Sequence, residues 1–480
     1  MTDTTPDEVD RIARAAKDAF AATVRTDDRT RAAWLRRTAD AIDADAAALI
    51  EVAARETALP ADPRLVGELA RTTAQLRLFA TVVEEGSYLE ATVDHPDPSA
   101  TPPIPDLRRV LRPLGPVGVF AASNFPFAFS VAGGDTASAL AVGCPVVVKA
   151  HPGHPETSRR MASVVVRALA EAGAPEGVFA LTEGFEAGLA LVDHPVIRAV
   201  GFTGSVRGGR ALLDRVAARP EPIPFYGELG SLNPVVVTPG ADAARGAALA
   251  EGLAGSFQLG AGQFCTKPGV VFVPAGSAVE AALPAHLLTP PRLLTPAIQD
   301  GFAAGIERVS AVPGVEVVAT GEAGDGPAPL VAATDVATLR EHAHALLEEV
   351  FGPFTLLVRY ASPEELLAAI AALPGGLTAT VHREEGEDVA ALVSHLEEIS
   401  GRVLFSGWPT GVAVSWAQHH GGPWPATNTQ FTSVGATAVR RFQRPVAYQD
   451  APESLLPPAL RESNPLGIPR RVDGALVVPR

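Results

Sequence analysis

Cysteine is scarce in this chain, which has only Cys144 and Cys265 among its 480 residues. Two thiols cannot supply a disulfide framework for this length, so a reducing, cytoplasmic setting is the simplest interpretation. A basic excess is also lacking, since the net charge is −15 and a nucleic-acid surface needs a basic face. No run approaches the ~20 uncharged apolar residues of a membrane span, and the acidic N-terminus lacks the apolar core of a signal peptide. These absences predict a cytoplasmic protein that binds neither nucleic acid nor membrane.

Ordinary globular composition is what remains, with 47% apolar and 19% charged residues and enough length for at least two domains. Residues 6–92 show helical periodicity, and 93–106 form a proline-rich excursion. Apolar strands and helices then alternate, which is typical of a parallel sheet covered on both faces and binding ligands at its carboxyl edge. The predicted strands are 117–122, 145–150, 177–182, 197–203 and 223–229. The predicted helices are 127–142, 155–172, 185–192 and 205–217.

A second series of strands and helices begins after a break near residue 230. Its predicted strands are 234–239, 269–274, 315–320, 354–360, 377–382 and 402–407, and its helices are 241–258 and regions near 277–287 and 295–311. We therefore expect one domain over 1–230, with 93–114 as an excursion, and a second over 231–430. The tail, 431–480, begins strand-like, ends proline-rich, and is predicted to pack on a neighbour or another subunit.

Cys265 lies in the segment GQFCT, between a predicted helix and a predicted strand. A thiol on such a loop can attack a carbonyl carbon if a neighbouring base takes its proton. The alternative is a packed core cysteine, which is the role we assign to Cys144. Glu228 ends an apolar strand, where burial is expected to raise its pKa towards neutrality and suit it as that base. A helix cap or a surface carboxylate is the alternative for Glu228.

Asn124, in SNFP, follows the strand 117–122 and precedes a predicted helix opened by Pro126. Its amide could stabilise a developing oxyanion, although an asparagine there is more often a helix cap. Lys149 ends the strand PVVVKA, where it could reach a ribose or phosphate or be a solvated charge.

Glycine and serine open the predicted helix after the strand 197–203. Gly204 and Ser205 lie at its start and Gly209 lies one turn further on. Free backbone N–H groups at such a start can bind a pyrophosphate, but the segment lacks the G-x-G-x-x-G pattern and is weak evidence by itself.

These motifs are stronger evidence when they are considered together and in chain order. SNFP, VVVKA, FTGS, ELGSLNP, GQFC and EEVFGP resemble the ordered motifs of the aldehyde dehydrogenase superfamily, from about residue 10 to the C-terminus. Further segments resemble its 2,5-dioxopentanoate (α-ketoglutaric semialdehyde) dehydrogenases: ETALP, QLRLFA, NFPFAFSVAGGDTASAL, KAHPGHP, HGGPWPAT, TSVG and NPLG. NADP-dependent long-chain aldehyde dehydrogenases share much of this pattern.

The resemblance implies an α/β fold with two doubly wound parallel-sheet domains, cofactor-binding and then catalytic, and a small oligomerisation element. It implies a homodimer or homotetramer that oxidises an aldehyde to a carboxylate through a thioester. Cys265 would be the nucleophile and Glu228 the general base, and Asn124 with the Cys265 backbone N–H would form the oxyanion hole. The cofactor would contact Lys149 at its adenosine ribose, Gly204, Ser205 and Gly209 at its pyrophosphate, and Glu349 and Phe351 at its nicotinamide riboside. No metal ligands are predicted.

Two departures from the common family pattern bear on the cofactor. Pro152 stands where relatives often have an acid that binds the ribose hydroxyls, and Arg207 stands where many have an acid. Losing a carboxylate and gaining a guanidinium suits a 2′-phosphate, so we predict that NADP is used at least as well as NAD.

The substrate side is less strongly indicated. Phe125, Phe129 and Ser130 are predicted to line the entrance. Arg71 and Gln75, one helical turn apart, could bind the far carboxylate of a 2-oxo acid aldehyde, or Arg71 could form a structural ion pair.

Three alternatives stay open. A broad NADP-dependent aliphatic or long-chain aldehyde dehydrogenase is the nearest. A thiol hydrolase without cofactor, or a catalytically silent binding or structural protein, would use the same fold differently.

Overall fold

The computed structural model describes residues 3–479. Helices dominate its N-terminal part: α1 (Pro6–Thr23), α2 (Asp28–Ala44), α3 (Ala46–Thr57) and α4 (Val66–Glu85). A capping box starts α1, because the Thr5 side chain accepts from the Glu8 backbone N–H and the Glu8 carboxylate accepts from Thr5. A short π-helical turn, Ala61–Leu65, leads into α4. These helices bury apolar faces, including Leu76 and Phe79 of α4, in the largest core of the molecule.

The first parallel sheet follows two short strands, β1 (Thr92–Asp94) and β2 (Leu107–Pro113). Its strands are β3 (Val117–Phe120), β4 (Val146–Lys149), β5 (Phe179–Thr182), β6 (Ala199–Thr203) and β7 (Phe225–Glu228), in the spatial order β5-β4-β3-β6-β7. The helices between them are α5 (Gly134–Ala141), α6 (Pro155–Glu171), α7 (Phe185–Asp193) and α8 (Val206–Ala217). All four strand pairs are parallel. The alternation of strands and helices and the doubly wound order of the sheet, both predicted from the sequence, are confirmed.

The predicted start of one helix is wrong. The helix expected over 127–142 begins only at Gly134, and Pro126 opens a series of turns rather than a helix. The backbone N–H groups of Phe127 and Ala128 donate to the carboxylate of Glu68 instead of remaining free at a helix start. The segment is therefore shaped by a contact with α4 that lies 59 residues earlier in the chain.

The second sheet is seven-stranded, in the order β10-β11-β12-β9-β8-β13-β14. Its strands are β8 (Val235–Val237), β9 (Val270–Pro274), β10 (Glu316–Thr320), β11 (Leu330–Asp335), β12 (Phe354–Tyr360), β13 (Ala379–His382) and β14 (Val403–Phe405). Its helices are α9 (Pro239–Phe257), α10 (Ala278–Ala282), α11 (Pro296–Ser310), α12 (Val336–Glu341), α13 (Ala343–Leu346), α14 (Pro363–Ile370) and α15 (Ala390–Ile399). Only β10 pairs antiparallel within this sheet of the described residues. Strand β11 and helices α12–α15 were not predicted from the sequence.

A third, small sheet joins the excursion near residue 100 to the C-terminal tail. Strands β15 (Gln443–Gln449), β16 (Arg470–Val472) and β17 (Ala475–Val477) combine with the first two strands in the order β15-β2-β1-β16-β17. The fold class is therefore as predicted: two doubly wound, mainly parallel sheets and one small additional element. None of the described helices is long and apolar enough to cross a membrane.

Candidate active site

The thiol of Cys265 lies on a loop between a 3₁₀ turn, Leu259–Gly262, and β9. Gly262 has φ +71°, and a Cβ there would lie 2.1 Å from the carbonyl oxygen of Gly352. Only glycine allows this approach, which packs the Cys265 loop against the loop that follows Glu349. Cys265 is half-buried, whereas Cys144 is fully buried and its thiol contacts the carbonyl oxygen of Phe442 at 3.4 Å.

A carboxylate and an imidazole lie beside the Cys265 sulfur. Glu228, the last residue of β7, accepts a hydrogen bond of 2.6 Å from Ser433 Oγ, and its Oε1 lies 2.9 Å from Nε2 of His420. The same nitrogen lies 3.6 Å from Cys265 Sγ. Atoms of Glu228, Cys265 and His420 all lie within 4.8 Å of one another. The three side chains can therefore exchange a proton. A soft divalent cation bound there would be coordinated by the sulfur.

The charges of this cluster determine where that proton lies. Burial raises the pKa of Glu228, but the interactions with His420, Ser433 and Cys265 outweigh burial and hold that pKa below its usual value. The sequence-based expectation of a raised Glu228 pKa is therefore wrong. Burial and the neighbouring Glu228 raise the pKa of Cys265 well above the usual thiol value. At neutral pH the free protein holds a carboxylate beside a protonated thiol.

Asn124 lies beside the same loop, in the turn after β3. Its Nδ2 donates to the carbonyl oxygen of Gln263 at 3.0 Å, which leaves its second N–H for another acceptor. A further asparagine was missed by the sequence analysis. Asn233 is fully buried and donates to the carbonyl oxygens of Cys265 and Lys267 at 2.8 and 2.9 Å, which fixes the backbone on both sides of Thr266.

The nucleotide-site candidates lie at the carboxyl edge of the first sheet. Lys149 ends β4 and is in register with Phe120 of β3. Gly204 and Ser205 are exposed at the start of α8, where Ser205 Oγ accepts from the Gly208 backbone N–H at 3.1 Å. Arg207 is exposed in the first turn of this helix. An open helix N-terminus with a lysine on the same edge suits a dinucleotide pyrophosphate and ribose.

Gly209 is placed differently from Gly204. It is buried, and a Cβ there would lie 2.1 Å from the Leu229 side chain, so its contact is with the end of β7.

Glu349 lies on the loop before β12 and is half-buried. A Cβ on Gly230 would lie 3.0 Å from Glu349 Oε2, so the carboxylate packs directly on backbone. Burial raises the pKa of Glu349 to about 7, although the ammonium of buried Lys267 opposes the shift. Phe351, two residues later, is half-buried. A carboxylate in this position can accept hydrogen bonds from ribose hydroxyls when it is ionised.

Helix α4 contributes polar groups that have no hydrogen-bond partner among the described residues. The guanidinium of Arg71 stacks on Phe129, with Cζ 5.3 Å from the ring centroid, and its Nε donates to Val412 O at 3.3 Å. Its Nη1 and Nη2 are buried and have no hydrogen-bond partner among residues 3–479. Burial lowers the pKa of Arg71, while the charges of Glu68, Cys265 and Glu228 raise it.

The other predicted substrate residues include two more buried polar side chains and an aromatic ring. Gln75 and Ser130 are buried, and the polar side-chain atoms of both lack a partner within the part of the chain that the structure describes. Phe125 contacts Phe129 and Phe264 with ring centroids 5.4 and 5.1 Å apart, which gives an aromatic wall next to Cys265.

His420 and Ser433 were not predicted as site residues, although they lie in segments that carry the resemblance, HGGPWPAT and TSVG. No local pattern marks either side chain, because their partner Glu228 is 192 and 205 residues away in sequence.

Comparison with known proteins shows the family to which the chain is similar. Residues 1–423 match the model of the aldehyde dehydrogenase family. The chain is 48% identical to α-ketoglutaric semialdehyde dehydrogenase 2 of Azospirillum brasilense, over 97% of this chain and 91% of that protein. It is 42% identical to α-ketoglutaric semialdehyde dehydrogenase of Acinetobacter baylyi, over 98% and 92%.

Solved structures agree on the fold. A putative aldehyde dehydrogenase from Burkholderia cenocepacia superposes with a TM-score of 0.78 at 23% identity, covering 94% of both chains. Proline utilization A of Bradyrhizobium japonicum gives a TM-score of 0.80 at 26% identity over 93% of this chain, which spans 45% of that longer protein.

Proposed function

This chain belongs to the aldehyde dehydrogenase family, whose members oxidise aldehydes with NAD(P), and we propose that its substrate is 2,5-dioxopentanoate, oxidised to 2-oxoglutarate. The observation that carries the proposal is the buried guanidinium of Arg71 near Cys265 and Glu228, whose Nη1 and Nη2 have no hydrogen-bond partner among the described residues. A buried cation without a partner is costly unless a ligand supplies the anion. The names of the two similar enzymes support the same substrate.

The first half of the reaction uses Cys265, Asn124 and the proton acceptors beside the sulfur. The thiol proton passes to Glu228, directly or through His420, as sulfur bonds to the aldehyde carbon. The resulting oxyanion accepts hydrogen bonds from the free N–H of Asn124 and the backbone N–H of Cys265. Bound NAD(P) supplies the hydride acceptor, and Lys149, Gly204, Ser205 and Glu349 are the residues that would hold it. Loss of hydride leaves a thioester on Cys265.

The second half hydrolyses that thioester. Glu228 first releases the thiol proton to solvent. As a carboxylate it then takes a proton from water while the water oxygen bonds to the acyl carbon and the bond to sulfur breaks. The Cys265 thiolate recovers a proton and the carboxylic product leaves. In total the aldehyde, water and NAD(P)⁺ give a carboxylate, NAD(P)H and two protons.

We assign the selection of the substrate to Arg71, Gln75 and Ser130. A carboxylate would accept two hydrogen bonds from Arg71 Nη1 and Nη2, and the amide of Gln75 and the hydroxyl of Ser130 would bind the 2-oxo group or the remaining carboxylate oxygen. The rings of Phe125 and Phe129 exclude water from the part of the substrate between its aldehyde and its far carboxylate.

The test compares kcat/KM for 2,5-dioxopentanoate and hexanal in wild type and Arg71→Ala. We expect a loss of about 10- to 100-fold for the dioxo acid and little change for hexanal, because only the former loses charged hydrogen bonds. Arg77→Ala is the matched control: Arg77 lies on the same helix but pairs with Asp40 and Asp43 at the surface. An unchanged preference in Arg71→Ala contradicts the assignment. A wild-type preference for hexanal favours the aliphatic alternative, which the aromatic wall also suits.

We further propose that NADP serves at least as well as NAD. Pro152 supplies no carboxylate, and the nearest following acid, Glu156, pairs with Arg55. Arg207 has no ion-pair partner among the described residues and lies at the start of α8. In Arg207→Ala, kcat/KM should fall for NADP and not for NAD, whereas Arg210→Ala, which removes a surface pair with Asp214, should change neither. A strong wild-type preference for NAD would refute this proposal.

Assembly into a homodimer or homotetramer is proposed from the third sheet. Its edge strand β17 exposes Leu476 and Val477, and Val478 follows it, which is an unprotected edge that a second subunit would cover. Light scattering on the purified protein measures the subunit number. The free thiol needed at Cys265 suits the reducing cytoplasm.

A further inference from the structure

Arg64 and Glu68 lie near the candidate active site without being part of its chemistry. Arg64 belongs to the π-helical turn Ala61–Leu65, and Glu68 lies in the first turn of α4. The two side chains form an ion pair, with exposed fractions of 14% and 1%. Burying such a pair removes both charges from water, which is costly unless further hydrogen bonds satisfy their polar atoms.

The first set of contacts goes to the turn that carries Asn124. Arg64 Nη2 donates to the Asn124 carbonyl oxygen at 2.9 Å. Glu68 Oε1 accepts from the backbone N–H groups of Phe127 and Ala128 at 2.8 and 2.9 Å. The pair thus binds the backbone at three points in and just after SNFP.

The second set of contacts goes to Phe125 and to Phe264, the residue before Cys265. The Arg64 guanidinium carbon lies 4.4 Å from the ring centroid of Phe125 and 5.3 Å from that of Phe264. These rings also contact each other edge to face. One guanidinium therefore touches the residue after Asn124 and the residue before Cys265.

We propose that Arg64 and Glu68 are positioning residues that set the Asn124 amide against Cys265. The turn at 123–133 is not a helix, and the Asn124 amide donates to the Gln263 carbonyl oxygen, so the position of that amide depends on where the turn holds its backbone. Oxyanion stabilisation depends on donors that are held in place before the reaction, and a displacement of about 1 Å can cost about 10²-fold in rate. The pair supplies that constraint from an element distant in sequence.

The test is a double-mutant cycle on turnover. Arg64→Met, Glu68→Gln and Asn124→Ala are prepared singly, and the first two are each combined with Asn124→Ala. Each positioning variant should lower kcat by about 10- to 100-fold, equally for 2,5-dioxopentanoate and hexanal, with the nucleotide KM unchanged. If the pair acts through Asn124, each double variant should be no slower than Asn124→Ala alone.

Additional measurements separate positioning from folding. Arg64→Lys keeps the charge but loses the planar fork, and it should recover part of the rate lost in Arg64→Met. Arg55→Met removes a surface ion pair with Glu156 from the preceding helix and should leave kcat at the wild-type level. If Glu68→Gln does not fold, the Arg64 variants still complete one cycle.

Losses that multiply in the double variants, or wild-type turnover in Arg64→Met, would overturn the proposal. The hexanal measurements keep this outcome separate from the choice of substrate, because they do not depend on Arg71.

Discussion

Nε2 of His420 lies 2.9 Å from the Glu228 carboxylate, and both side chains are almost completely buried. The imidazole stabilises the ionised form of a carboxyl group that burial alone would neutralise. The result is a lowered pKa for Glu228, so the carboxylate persists as a base through the neutral range.

Replacing the imidazole should move the acid limb of the pH profile. In His420→Phe, burial of Glu228 is opposed by fewer interactions, so its pKa rises and its base form is lost at a higher pH than in wild type. We expect kcat/KM at pH 6 to fall by about 10- to 100-fold, with partial recovery at alkaline pH. Ser433→Ala, which removes one hydrogen bond, should shift the profile in the same direction by less. An acid limb that stays in place in both variants would contradict the role of the pair.

Thiol alkylation should report the charge around Cys265. Because burial and Glu228 raise the pKa of this thiol, the reactive thiolate is scarce in the free protein at pH 7. Labelling by iodoacetamide should therefore increase by about tenfold per pH unit from pH 7 to 9. Glu228→Gln removes a negative charge, lowers the Cys265 pKa and should label faster at pH 8.

The second thiol provides the control for that measurement. Cys144 is fully buried, so mass spectrometry should find the label on Cys265 alone, and Cys144→Ser should keep the dehydrogenase activity that Cys265→Ser loses. Activity in Cys265→Ser would exclude this sulfur as the nucleophile.

The sequence predicts the parts of the site that depend on local order. Cys265, Glu228 and Asn124 stand at ends of strands or in loops, and the order of the motifs predicts them as site residues. His420 and Asn233 lie in segments that carry the resemblance, HGGPWPAT and ELGSLNP, but their contacts with Glu228 and with the Cys265 loop join residues that are distant in sequence. The Glu228 pKa was predicted in the wrong direction for the same reason, since burial is visible in the pattern and the opposing imidazole is not.

Fold prediction shows the same division. Strand β12 is predicted residue for residue by the apolar run FTLLVRY. The start of α5 is not, because Glu68 binds backbone groups that the apolar periodicity assigns to a helix. Strand β11 was overlooked, although LVAATD after a glycine- and proline-rich segment carries a strand signal.

The nucleotide KM should depend on pH through Glu349. Its pKa is raised to about 7 by burial, so below that pH the protonated carboxyl group accepts ribose hydrogen bonds poorly. We expect the KM to increase by about 5- to 10-fold between pH 8 and 6, the equivalent of one hydrogen bond. Lys267→Met removes the opposing ammonium, raises the Glu349 pKa further and should move this transition to higher pH. Glu349→Gln should have a raised KM that no longer varies over this range, and a transition that persists in this variant must have another origin.

Asn233 should be required for both stability and activity. Its Nδ2 donates to the Cys265 and Lys267 carbonyl oxygens, and its Oδ1 accepts from Ser231 and Thr378 hydroxyls. Asn233→Asp keeps the shape but replaces the donors with an oxygen, which leaves two carbonyl groups unpaired beside a buried acid. Urea denaturation should show a loss of about 2–5 kcal/mol, and turnover should fall because the Cys265 backbone is no longer held.

A matched asparagine tests whether position or chemistry is responsible. Asn233 and Asn464 both have a positive φ, of +52° and +45°. Asn464 Nδ2 donates to one carbonyl oxygen, that of Ile468, in the C-terminal tail. Asn464→Asp should cost less stability and leave turnover unchanged, because it touches no residue of the Cys265 loop. Equal losses of activity in the two variants would mean that general destabilisation, and not the hold on the nucleophile's backbone, limits the enzyme.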